Sequence, residues 1–214
     1  MPCRFPDAHA SVPWRARLRE NRRVTAQVLP LTDDIRWRRL TRTSVTCTTC
    51  GETHKGLFDL ATDGPEHWPG ERPGEPNSAI VERDHILTED FCIIEGRDHF
   101  VRCVLQLPLV GGKDEAFGYG VWCTLSPKNF EIYRDSFDSG DQGSLGPWFG
   151  WFSNRLKGYP ETLNLKCQVR PRSGRQRPLI ELEPTDHLLA LEQRDGITID
   201  RLLEIYALNG HDLR

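Results

Sequence analysis

The sequence predicts an α+β domain, a mainly antiparallel sheet packed by a few helices, with an N-terminal Cys-x-x-Cys element resembling a zinc knuckle. Three observations lead there. Short apolar runs such as "FCIIEG", "HFVRCVLQLPLV" and "FGYGVWCTL" follow one another with turn residues between them, the pattern of consecutive antiparallel strands. "SPKNFEIYRDSF" and "TIDRLLEIYALNG" carry apolar residues at helical spacing behind a serine or threonine cap. "VTCTTCGETHKG", residues 45–56, sets Cys47, Cys50 and His54 at metal-ligand spacing beside a glycine turn.

Length and composition bound the rest. At 214 residues, with six Trp and nine Phe to fill a core, the chain suffices for one domain plus a tail, although its mean hydropathy of -0.54 is low. No apolar run is long enough to cross a bilayer, and no apolar segment follows the basic start, so neither a membrane span nor a secretory signal is expected. Seven cysteines without a dense framework argue for reduced thiols and cytoplasmic residence.

Along the chain, residues 1–43 hold ten arginines against Asp7, Glu20, Asp33 and Asp34, a net charge of +6 that leaves -9 on the remainder. Lacking a recognition motif, this stretch reads as an Arg-rich extension without fixed structure, ahead of one domain at 44–210. "SVTC" is a short strand entering the cysteine turn. Residues 61–78, with four prolines and three glycines, form a loop. The runs flanking "EGRD" form a hairpin; a two-residue loop at Arg97-Asp98 would set Cys92 opposite Cys103. The glycines of "FGYGVWCTL" mark a close backbone approach. Ser126 caps the next helix, with Pro127 in its first turn. "PWFGWFSNRL" reads as a short aromatic helix stopped by Gly158 and Pro160. "TLNLKCQVRP" and "RPLIELEP" are strands around a polar turn, and "HLLALEQRDG" and a helix capped by Thr198 close the chain.

Zinc takes four ligands, so Cys47 and Cys50 are half a structural site and His54 is the nearest third. Cys92 is the candidate fourth, with Cys103 its alternative and His99, His67 and His85 behind them. Cys123 and Cys167 lie in apolar strands and read as small buried hydrophobes. A redox dithiol is disfavoured because "GETHKGLFDL" is a poor helix start. A second cluster joins Trp148, Trp151 and Arg155, on one side if that segment is helical, with Asp186 and His187 beyond the last strand. These residues form a possible binding face. Asp186 and His187 could do acid–base work, or Asp186 caps the following helix. No nucleophile elbow, phosphate loop, dinucleotide fingerprint or His-Glu-x-x-His motif occurs.

The segments "CTTCGETHKGL", "FCIIEGRDHFVRCVLQLPL", "GVWCTLSPKNFEIY", "FGWFSNRLKGYPETLNLKCQV" and "RPLIELEPTDHLLALEQRDGIT" together resemble, over about residues 44–206, the bacterial family catalogued as domain of unknown function 2199. The resemblance implies a bacterial, cytoplasmic, single-domain protein with this Cys-x-x-Cys-Gly element near its start, and it transfers no catalytic residue. The first expectation is a non-enzymatic protein with a structural zinc knuckle that acts through contacts with a protein partner. A metal-dependent hydrolase with an open zinc position is the alternative. Nucleic acid is expected, if anywhere, on the basic arm alone, because the acidic body repels phosphates.

Overall fold

Aromatic and β-branched residues concentrate between residues 91 and 125, and there the chain builds its longest strands. The computed structural model describes residues 29–47, 51–71 and 78–213. In chain order the elements are α1 (Ile35–Arg42), β1 (Val45–Thr46), β2 (Thr53–His54), β3 (Leu60–Ala61), β4 (Ile80–Val81), β5 (Ile86–Leu87), β6 (Phe91–Ile94), β7 (Asp98–Pro108), β8 (Ala116–Leu125), α2 (Pro127–Phe137), β9 (Trp148–Trp151), β10 (Lys166–Arg170), β11 (Leu179–Leu182), α3 (Leu188–Asp195) and α4 (Ile199–Leu208). The α+β class holds. Among the described residues β3 to β11 form one nine-stranded, mostly antiparallel sheet, with β1 and β2 a separate hairpin.

The β7–β8 ladder is the spine of the sheet. On its far side β11 pairs with β7 in parallel, β10 with β11, and β9 with β10. Phe152, just past β9, bridges Cys123 of β8, so the five strands curl into a nearly closed barrel. Gly150 makes this closure possible: a Cβ there would sit 2.5 Å from the Thr124 carbonyl oxygen. Strand alternation sends Val101, Cys103, Leu105, Phe117, Val121, Cys123, Cys167 and Val169 into the interior, where α4 adds Leu202, Ile205 and Tyr206. Phe100 and Trp122 point the other way and make a second core with Trp68, Leu87, Cys92 and Ile94.

Several expectations hold locally. Ser126 Oγ accepts from Asn129 N–H with Pro127 in the first turn of α2, and Thr198 caps α4. Gly118 and Gly120 mark close approaches, for a Cβ at Gly118 would lie 2.5 Å from the Asp59 carboxylate, which accepts the Gly118 N–H.

Three do not. The segment at 148–151 is a strand, not a helix, because its alternation buries Gly150 and half-buries Trp148 while Phe149 and Trp151 face out, and pairing with β10 supplies its hydrogen bonds. The "EGRD" turn spans three residues, with Glu95 and Gly96 both at positive φ and Ile94 paired with Asp98. Cys92 therefore faces Phe100, while Cys103 faces Val121 across the next ladder. Lastly, the N-terminal extension does not run to residue 43. Asp34 caps α1 by accepting Arg36 N–H, and Trp37 and Leu40 join the main core beside Leu31. The Arg36 side chain, hydrogen-bonded to Asp34, holds that carboxyl down at about 2. Residues 1–28 lie outside the described residues. No helix among the described residues is long and apolar enough to cross a membrane.

Candidate metal centre

Strands of two residues make few ladder bonds, so the β1–β2 hairpin depends on what its turn and neighbours supply. Cys47 N–H donates to Glu52 O at 2.8 Å, and Gly51 N–H to Cys47 O at 3.0 Å, with Gly51 at φ 74°. That conformation is one that glycine adopts freely. Register pairs Val45 with His54 and Thr46 with Thr53. Because successive side chains alternate between faces, Cys47 and His54 share one face as diagonal neighbours.

The third group comes from the other end of the chain. After α4, Gly210 takes φ 88°. Its N–H donates to Ala207 O, while His211 N–H donates to Tyr206 O at 2.8 Å. This pair of bonds is the Schellman helix stop, and it turns His211 back towards the hairpin. Cys47, 1% exposed, directs its thiol at Gly210 O across 3.6 Å.

An aromatic stack orients the imidazoles. His54 stacks on Phe58 at 4.4 Å between centroids, and Phe58 stacks on Tyr206 at 4.2 Å. The Tyr206 hydroxyl donates to Phe58 O at 2.6 Å and accepts Phe58 N–H at 3.1 Å, which fastens this segment to α4. The His211 ring meets His54 edge-on at 5.0 Å. One ligand atom each from Cys47, His54 and His211 then lie within 4.8 Å of one another. A thiolate with two imidazole nitrogens is a donor set suited to zinc.

Residues 46–197 match the family model described as uncharacterized protein conserved in bacteria, DUF2199. The chain belongs to that family. Cys47, Cys50 and His54 lie within the matched span, and His211 beyond it. No curated protein matches the chain, and no solved structure does.

Cys50 lies outside the described residues. The remaining expected site residues are dispersed. Cys92 is fully buried in the second core, apart from the grouped Cys47, His54 and His211, and burial pushes its thiol up to about 12. Trp148 and Trp151, neighbours on a helix but three apart on a strand, face opposite sides: Trp148 packs against Tyr133 at 6.3 Å, while Trp151 is 39% exposed. Arg155 pairs with Glu66 and Glu161. His187, not Asp186, is the cap of α3. Its Nδ1 accepts Leu189 N–H at 3.1 Å, and Nε2 lies 3.1 Å from Glu161 O. One neutral tautomer, protonated at Nε2, satisfies both contacts, so the ring is engaged in holding structure. His187→Ala is expected to cost about 1 kcal/mol, read as a shift of the urea midpoint without change of slope.

Sequence reading missed His211. The available signal was the Asn-Gly stop of the last helix, which fixes where the next residue points.

Proposed function

We propose that this protein is a non-catalytic binding domain braced by a structural zinc ion held by Cys47, Cys50, His54 and His211. The reading rests on the convergence of a thiol and two imidazoles, from one hairpin and the distant end of α4, within 4.8 Å. The sequence adds Cys50, with two residues between it and Cys47, in the knuckle spacing that delivers two thiolates to one ion. Zinc in that position ties the two-residue strands of the hairpin to the end of α4.

The contact surface in this reading is the outer face of β9 and β10. Phe149 and Trp151 are 43% and 39% exposed and meet edge-to-face at 5.1 Å, with Lys166 Nζ lying 6.0 Å from the Trp151 ring centre. Rigid exposed aromatics beside a cation are the usual anchors of protein interfaces. The partner in this reading is a protein.

Elemental analysis of protein purified without added metal tests the centre. The expected result is near-stoichiometric zinc in wild type and in Cys92→Ser, lost in Cys47→Ser and His211→Ala. Zinc retained by His211→Ala would contradict the ligand set. Full zinc in Cys50→Ser, with water as the fourth ligand, would turn the reading towards an open, hydrolytic centre.

A further inference from the structure

Strands β7 and β11 run together for only two registered pairs, Val104 with Leu179 and Leu105 with Ile180. Beyond them the strands part, and the end of β7 pairs instead with the segment after α3, where Ile197 N–H donates to Pro108 O at 2.8 Å. Helix α3 spans the gap. Its Gln193 accepts Leu182 N–H at 2.8 Å and donates to Ile180 O at 2.7 Å, so the side-chain amide satisfies the strand edge in place of a neighbouring strand. What remains open is a cleft of about 380 Å³. That volume lies within the range of small-molecule sites.

The cleft is apolar within and cationic at its rim. Leu179, Leu182, Pro108 and Ala190 contribute hydrocarbon. The charged lining residues are Arg170 and Arg194 against Glu181 alone, a local positive excess on a body that is otherwise acidic. Both guanidinium groups have acid partners, Arg170 with Glu181 and Arg194 with Asp195, and all four side chains are about half exposed or more. Exposed ion pairs are weak, so either arginine can exchange its partner for a ligand carboxylate at little cost, and the planar fork accepts one bidentately.

From this combination we infer that the cleft binds a medium-chain carboxylate, its alkyl chain among Leu179, Leu182 and Ala190 and its head group at Arg170 and Arg194. The site is independent of the metal centre.

Calorimetric titration of the full chain with hexanoate, octanoate and octan-1-ol tests this. One saturable site is expected, with affinity rising about fourfold per added methylene. Octan-1-ol is expected to bind at least about tenfold more weakly than octanoate, as the loss of a charge-assisted pair implies. Arg170→Gln with Arg194→Gln should bring octanoate down to the level of the alcohol while leaving the alcohol unchanged. Ala190→Trp should abolish binding by filling the cleft. Leu179→Glu, at a half-buried position, does the same through charge and serves if the tryptophan variant does not fold. Absence of saturable binding to wild type, equal affinity for alcohol and acid, or undiminished binding by folded Leu179→Glu would each overturn the assignment.

Discussion

Stripping zinc from the wild-type chain with a chelator is expected to destabilise it by on the order of 4 kcal/mol, the scale at which loss of a metal stands out among single perturbations. For a chain of this length that is a fall of roughly 8–16 °C in melting temperature, reversed by added zinc. The loss should be local in origin. The barrel interior, with Val101, Leu105, Val121 and Phe152 fully buried, packs through its own side chains, whereas β1 and β2 are strands of only two residues that the proposed ion would link to the turn at Gly210. Hydrogen exchange at Cys47, Gly51 and His211 should accelerate on chelation while exchange along β7 and β8 changes little. The Cys92→Ser variant should bind zinc as wild type does, because that thiol packs in the other core.

Trp122→Ala is expected to cost about 3–5 kcal/mol, the range for removing a fully buried large aromatic. Trp122 is 0% exposed and sits on the outer side of the barrel, where it covers β8 and receives Trp68, Leu87 and Phe100. Its indole N–H donates to Thr62 O at 3.3 Å, and its backbone N–H donates to the Asn154 side chain at 2.7 Å. Asn154 in turn donates to Gly64 O at 2.8 Å. Removing the ring therefore opens a cavity and releases the loop after β3 together. Denaturant melts give the loss of stability, and limited proteolysis should show new cleavage within 62–71. Intact loops and a change under about 1 kcal/mol would mean that the second core is not a structural unit.

How much of this was legible beforehand follows from which interactions are local. Helices α2 and α4 were readable because Ser126 and Thr198 each cap within their own turn, and Pro127 and Gly210 punctuate the ends. Strands β7, β8, β10 and β11 were readable because alternation persists over several residues whatever they pair with. The segment at Trp148–Trp151 was not, since four residues do not separate a helical period from a strand period, and its pairing with Lys166–Arg170 is decided by tertiary contact. Helix α1 was hidden by four arginines in eight residues, although Trp37 and Leu40 lie three apart on one face.

The metal centre divides in the same way. Cys47 and His54 were found because they lie in one hairpin, seven residues apart. His211 lies 157 residues beyond His54, and only the packing of α4 against Phe58 brings it near. Cys92 was chosen in its place through a turn set at Arg97-Asp98, which shifts the hairpin register by three residues. The three-residue loop at Glu95-Gly96-Arg97 leaves Cys92 paired with Phe100, on the outer side of the barrel from Cys103.

X-ray absorption at the zinc edge of the purified wild-type protein tests the central claim most directly. The account predicts one zinc ion with two sulfur neighbours at about 2.3 Å and two nitrogen neighbours at about 2.0–2.1 Å. A purified wild-type protein that holds no zinc, or a shell with no imidazole nitrogen, would contradict it.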